Sequence, residues 1–412
     1  MLTWLALVAT GPSGQLFDAS VYVDSANRLV DGLEVPAGYG TRGALTQLVY
    51  VPAALASKTG LSIERAVLFQ NALLLAALAA FLVPALLRRL GTVGTWSPAW
   101  SCLAVVVVLG RFAPVGFMDI WSLAAVVGML VLVATPTRSR LVAAGALLGA
   151  AVNLRPAYLL PSLLLLLAWA VWVRRGWIWV VLGSTTAVLS QGVLQLFRPG
   201  SFETWWDGLQ IINEVQLTYS AWVVRYDTVP SSIAPQQFFC DPDMAAVQQA
   251  PISSPSDLVG HLMTYVPQSI DLVAQKLTAW LMWTWSTPYY DTFDPSTSQL
   301  SLLVVAAVVA GGFGWVQAVR RGAVPRSLVV AVGALALGVL GGAVAATPEA
   351  RFALPLVVLG LVGVALIDVR GVTVRQGAGL VLAVVVVVLL GQHGLDHPAP
   401  PGPVTPETCS TA

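Results

Sequence analysis

Apolar runs alternate with short polar joints along nearly the whole chain. They lie near residues 1–12, 66–87, 99–116, 118–135, 141–154, 157–173, 177–196, 300–319, 327–346, 353–369 and 377–391. A helix needs roughly 20 residues to cross the hydrocarbon of a bilayer, so the pattern predicts an all-α polytopic membrane protein of about 11 transmembrane helices. The first run is short. The runs 141–154 and 157–173 are split at Asn153-Leu-Arg155-Pro156 and read as two short helices meeting at a polar break. After the first run, helical spacing puts Tyr22, Ala26, Leu29 and Leu33 on one face, with Asp18 one turn before Tyr22. Asp24, Arg28 and Asp31 fall on the opposite face, where they form an ion-pair stripe. Asp18 has no such neighbour, and a carboxylate on the apolar side of a helix at a membrane boundary is costly unless it is hydrogen-bonded or used.

Composition agrees with the pattern. Of 412 residues 57% are hydrophobic and 10% charged, against roughly 25% charged in soluble proteins. Lys58 and Lys276 are the only lysines, and the arginine bias hints at a GC-rich bacterial genome. Arg88, Arg89, Arg138, Arg140, Arg174, Arg175, Arg320, Arg321, Arg326, Arg370 and Arg375 fall at alternate ends of successive runs. The positive-inside rule makes those ends cytoplasmic. On that assignment the inside carries eleven basic residues and one acid, Asp368, and the outside ten basic residues and nineteen acids, which sums to the net +1. The reading is a multi-pass protein of the bacterial plasma membrane, with its N-terminus inside and any active site extracytoplasmic. Residues 1–391 form the membrane domain, with external loops 13–65 and 198–299, and residues 392–412 form a proline-rich external tail expected to be disordered. The first run lacks a basic leader and a small-residue cleavage motif, so it is not read as a cleaved signal. Cys240 and Cys409 are both external, where oxidation is possible. A bridge would pin the tail to the large loop, and the sequence leaves that open.

The chain has no P-loop, GxSxG, CxxC or dinucleotide fingerprint. Carboxylates inside the runs are few, which argues against an ion relay. The outer helix ends carry Asp18, Arg111, Asp119, Arg155, Glu349 and Arg351. Arginine forks suit phosphate groups. A base with several arginines at a lipid–water boundary suits a lipid phosphate whose head group reacts outside the membrane.

These residues carry a resemblance. Asp18-Ala-Ser-Val-Tyr22, with Ala26, Leu29, Gly32, Tyr39 and Tyr50-Val-Pro52, resembles the first external loop of GT-C glycosyltransferases that use polyprenyl-phosphate sugars. Leu154-Arg155-Pro156 resembles their Lys/Arg-Pro step. Glu349-Ala-Arg351-Phe352 with Pro355 resembles their late Arg-aromatic element, and Lys276-Leu-Thr-Ala-Trp280 with Pro288-Tyr-Tyr-Asp291 resembles the stretch leading into their later helices. The resemblance implies a GT-C type bundle and an inverting sugar transfer, mannose favoured and arabinofuranose next, from a polyprenyl-phosphate donor to a lipid-linked or cell-envelope glycan acceptor. It implies Asp18 as general base, with Tyr22, Arg111, Arg155, Glu349 and Arg351 as substrate contacts and Arg155 and Arg351 at the donor phosphate. The family's acidic pair after the first helix is here a single Asp18, with Asp24 six residues on, which speaks against a metal-bridged site and leaves Asp24 and Asp119 as the candidate second carboxylates. Neither a metal nor a cofactor is expected. The partners are the donor, the acceptor and membrane lipids, not nucleic acid.

Each residue also has a plainer reading. Asp18 suits a helix N-cap, Asp24 a solvated ion pair, and Asp119 the N-cap of the next helix rather than a second carboxylate at the site. Arg155 can satisfy carbonyls freed by Pro156, Arg351 can pair with Glu349, and Arg111 can snorkel outward. Trp205, Trp206, Trp222, Trp280, Trp283 and Trp285 suit an interfacial belt or sugar stacking. A lipid-linked glycan transporter or flippase, or an inactive scaffold of the same fold, is the alternative function.

Overall fold

The computed structural model describes residues 1–15, 17–35, 43–91, 97–228, 236–248, 252–283, 298–400 and 403–411. They form two compact units, Met1–Leu209 with Trp315–Gly338, and Gln210–Gly314 with Val339–Ala412. The chain opens with α1 (Leu2–Val8), α2 (Phe17–Val30), α3 (Ala44–Leu48), α4 (Val51–Ser57), α5 (Ile63–Ala77), α6 (Val83–Arg89), α7 (Ser97–Leu109) and α8 (Asp119–Val133). It continues through α9 (Arg138–Leu154), α10 (Leu159–Ala168), α11 (Trp177–Ser184), α12 (Thr186–Phe197) and α13 (Ser201–Ser220). The hairpin β1 (Val223–Thr228) and β2 (Gln236–Cys240) follows, then α14 (Pro242–Val247), α15 (Pro255–Thr264) and α16 (Val266–Ala279). The last elements are α17 (Ser298–Arg320), α18 (Arg326–Ala345), α19 (Leu354–Val364), α20 (Val374–His393) and α21 (Pro406–Ser410).

The protein is an all-α membrane protein, with one small hairpin among the described residues. Among the described residues six helical stretches are long and apolar enough to cross a membrane: Ile63–Arg89, Pro156–Val173, Trp177–Leu196, Leu300–Arg320, Arg326–Ala345 and Val374–His393. The expected count of about 11 is not reached by that measure. The first run yields only the seven-residue α1. Ala99–Phe112, Asp119–Val133 and Ala350–Val364 are apolar but shorter, because Pro114, Gly116 and Pro348 sit in the joints beside them.

In the first unit, two prolines shape long helices. Pro84 has no N–H to donate, and the turn before it, Leu78–Leu82, widens into a π-helix that joins α5 to α6. Pro156 forces the residue before it to be extended, so α9 ends at Arg155 (φ −143°, ψ 106°) and a 3-10 turn, Pro156–Tyr158, leads into α10. The polar break expected there is present. Helices α9 and α11 lie close because glycines face each other's backbone. A Cβ on Gly145 would overlap the Val180 carbonyl oxygen, and one on Gly183 that of Val142.

In the second unit, β1 and β2 pair antiparallel with an irregularity between Val223 and Arg225. Their inner face packs on Leu217, Trp222, Leu258 and Leu272. The tail is not disordered over 392–400 and 403–411. Its backbone extends β2, with Cys240 N donating to His397 O (2.9 Å) and Ala399 N to Phe238 O (2.8 Å). A Cys240–Cys409 disulfide holds its end, and Thr405 caps α21. Proline content misleads here because Pro398 pairs opposite Phe239 through the backbone groups of its neighbours His397 and Ala399, while Ala399 and Cys409 enter the core.

Candidate functional site

Three segments distant in sequence converge in the first unit. Asp18 lies in the first turn of α2. Asp119 is the first residue of α8, whose N-cap position is Met118. Arg155 leaves the extended break at the end of α9. Its Nε donates to Asp119 Oδ1 at 3.0 Å, and its Nη1 lies 3.8 Å from Asp18 Oδ2. Arg155 and Asp119 are buried, whereas 28% of the Asp18 side chain is exposed. Among the described residues Arg155 thus joins two carboxylates, of which Asp18 is the one that water or substrate can reach.

A frame of amide side chains holds these segments in place, and sequence reasoning missed it. Gln15 Nε2 donates to Pro114 O (3.0 Å) and Gln15 Oε1 accepts from Gly116 N (2.7 Å), tying the approach to Asp18 to the approach to Asp119. Asn71 Nδ2 donates to the carbonyls of Ala113 (3.1 Å) and Val115 (2.8 Å), and the Tyr50 hydroxyl to that of Phe117 (3.1 Å). The turn 113–117 is thus fixed through its own buried carbonyls, which need such partners. The sequence signal was present, since Asn71 is polar inside an apolar run and demands a partner.

Other expected residues fall elsewhere. Tyr22 is buried among Tyr50, Ala53, Ala54 and Met118, so in this structure its ring fills the core. Asp24 pairs with Arg28 at 2.8 Å on the exposed face, the plainer of its two readings. Asp31, expected on the same stripe, pairs with Lys58 at 2.6 Å. Arg111 lies half-buried in the 3-10 turn Gly110–Phe112 after α7. Tyr39, Trp285 and the stretch Pro288–Asp291 lie outside the described residues.

The second unit holds a separate buried charge cluster. Glu349 and Arg351 meet at 2.6 Å across the 3-10 turn Ala350–Ala353, and the Arg351 guanidinium carbon lies 5.4 Å from the Phe352 ring centre. Trp280 Nε1 donates to the Glu349 carbonyl at 2.7 Å. Sequence reasoning missed Arg225 and Asp227, one pleat repeat apart on β1 and therefore on one side. Arg225 donates to both Asp227 oxygens (2.9 and 2.7 Å), to Ala279 O (2.7 Å) and to Met282 O. Burial pushes the Asp227 carboxyl up to about 6, against the pull of Arg225. Lys276 is wholly buried, and its ammonium donates to the carbonyls of Ser220 (2.6 Å), Ala346 (2.9 Å) and Val344 (3.2 Å) at the ends of α13 and α18. Burial holds it down to about 7. Trp205, Trp222, Trp280 and Trp283 are buried in the core, which removes them from both the belt and the sugar-stacking readings; Trp206 is exposed.

Among the described residues no group of three His, Cys, Asp or Glu side chains is placed to hold a metal ion. The chain thus combines helices able to cross a membrane with a reachable carboxylate set on a buried ion pair. No protein-family profile, curated protein or solved structure matches it.

Proposed function

We propose that this protein is an extracytoplasmic glycosyltransferase of GT-C type in the bacterial plasma membrane, with Asp18 as its general base. The single observation that carries the reading is the exposure gradient in the first cluster: Asp18 reachable, Arg155 and Asp119 buried behind it. In the reaction, the acceptor hydroxyl gives its proton to an Asp18 oxygen as its own oxygen bonds to the anomeric carbon. The bond from that carbon to the donor phosphate breaks, and the polyprenyl phosphate leaves with the electron pair. One base on one face implies inversion. The phosphate is already a good leaving group, so no general acid is required. Arg155, tied to Asp119, serves as a positioning residue that orients the Asp18 carboxylate. For Arg351, Glu349 and Arg111 the donor-contact role is supported by the resemblance alone. Mannose is the favoured sugar and arabinofuranose the next.

The orientation is supported within each unit. Asp18, Asp119 and Arg155 were all assigned outside and they meet. Ser327, next to Arg326 on the assigned inner side, donates to Val133 O at 2.8 Å. A Cys240–Cys409 disulfide suits an oxidising exterior. The shorter apolar helices are read as further passes, toward a total of about 11. The test is mass spectrometry of envelope lipids and glycans after gene deletion, with complementation. A missing glycosylated species restored by the wild-type gene but not by Asp18→Asn is expected. Full restoration by Asp18→Asn would refute the assignment of the base, and an unchanged envelope after deletion would refute the transferase reading.

A further inference from the structure

The first unit contains a second feature that the transfer reaction does not use. The stretch Ile63–Arg89, 27 residues long, ends in Arg88 and Arg89, both exposed. Between this end of α6 and the last turn of α8 lies a cavity of about 300 Å³ lined by Ala85, Val131, Arg88 and Arg89. Its lining combines two small apolar side chains with two arginines. Neither guanidinium has an ion-pair or hydrogen-bond partner among the described residues. Phe81, one turn before Ala85, is 69% exposed and continues the apolar side away from the arginines. The Ser327–Val133 hydrogen bond brings Arg326, a further cation, to the same end of α8.

From this we infer a binding site for one anionic phospholipid, its phosphate held by Arg88 and Arg89 and its first acyl segment lying along Ala85, Val131 and Phe81. Guanidinium forks bind phosphate oxygens in pairs, and basic recesses between helices at a membrane face suit acidic lipid head groups. A soluble phosphate would use the arginines but gain nothing from the apolar wall, which favours the lipid. Arg174 and Arg175 provide the contrast. They carry the same charge at the end of another stretch, Pro156–Val173, without lining this cavity.

The inference does not depend on the glycosyltransferase reading, since it is tested by binding alone. Delipidated full-length protein is titrated with phosphatidylglycerol or phosphatidylcholine, and bound lipid is counted by native mass spectrometry. Wild type is expected to retain one phosphatidylglycerol in preference to phosphatidylcholine. Arg88→Gln with Arg89→Gln is expected to weaken that retention about tenfold or more. Ala85→Phe, which keeps both charges but fills the recess, is expected to weaken it comparably. Arg174→Gln with Arg175→Gln is expected to change it less than about twofold, because those groups act only through the diffuse surface field. Equal losses from both arginine pairs, or no effect of Ala85→Phe, would overturn the site. Displacement of the lipid by millimolar inorganic phosphate would overturn the lipid as its occupant.

Discussion

Replacing the buried pair behind Asp18 one partner at a time, then together, tests the geometry of the site independently of activity. Arg155 and Asp119 are 3.0 Å apart and buried, a separation at which unit charges attract by about 5.5 kcal/mol at an effective dielectric of about 20. That attraction offsets the desolvation of both groups, so the net worth of the pair is much smaller than the cost of breaking it. Removing one partner of such a pair costs about 3–5 kcal/mol, while apolar replacement of both is near neutral. The neighbour Asp18 makes the two single changes unequal. Asp119→Leu leaves Arg155 with a partly exposed carboxylate 3.8 Å away, and its cost should fall near the lower end, about 3 kcal/mol. Arg155→Met leaves two carboxylates without the cation between them, and its cost should fall near the upper end, about 5 kcal/mol. The double variant should lie within about 1 kcal/mol of wild type, a coupling far above the ~0.5 kcal/mol expected of independent sites. The assay is reversible unfolding in mixed micelles, followed by tryptophan fluorescence. Additive single effects, or Asp119→Leu costing more than Arg155→Met, would refute the arrangement.

Three further outcomes follow from other parts of the structure. Asp227 is held up to about 6 in the folded state against an ordinary 3.8, so its contribution to stability is present below about 4 and is lost as pH rises through about 6, by up to roughly 3 kcal/mol. Subtracting the pH–stability profile of Asp227→Asn from that of wild type should show this slope, and a flat difference would contradict it. A Cβ on Gly314 would overlap the Gly363 carbonyl oxygen, so Gly314→Leu should force α17 and α19 apart and lower the melting temperature measured by scanning fluorimetry, whereas Gly312→Leu, where a Cβ meets nothing, should not. For topology, an impermeant maleimide added outside intact cells should label Ser256→Cys and miss Ser139→Cys, both exposed positions, in a Cys102→Ala background; the opposite pattern would reverse the orientation.

The apolar runs made the helical class legible, because burial in lipid requires long uninterrupted hydrophobic segments. The split at Asn153–Pro156 was legible too, since proline dictates the backbone of the residue before it. What the runs concealed was helix length, as at α1 and α8, where joint prolines and glycines decide how far a helix extends. The hairpin went unread because Val223–Thr228 is only six residues long and follows a helix directly. With it went Arg225 and Asp227, whose i, i+2 spacing means something only in a strand. Asp18 and Arg155 were legible as costly charges in apolar surroundings. Asp119 was misread as a cap because a first-turn carboxylate suits a helix start equally well, and only the fold reveals that Arg155 reaches it. Gln15 and Asn71 bind backbone carbonyls about 40 to 100 residues away, and such partners leave no trace in local spacing.

Sugar transfer by the purified protein is the most direct test of the central claim. The wild-type protein and its Asp18→Asn and Asp24→Asn variants would be reconstituted in liposomes with polyprenyl-phosphate mannose or arabinofuranose and an envelope-lipid acceptor extract, and released polyprenyl phosphate measured. The account predicts transfer by wild type, a fall of about 10²–10⁴-fold in Asp18→Asn without loss of folding, and near-normal transfer in Asp24→Asn, whose partner Arg28 is exposed. Full transfer by Asp18→Asn, or none by wild type with either donor, would contradict it.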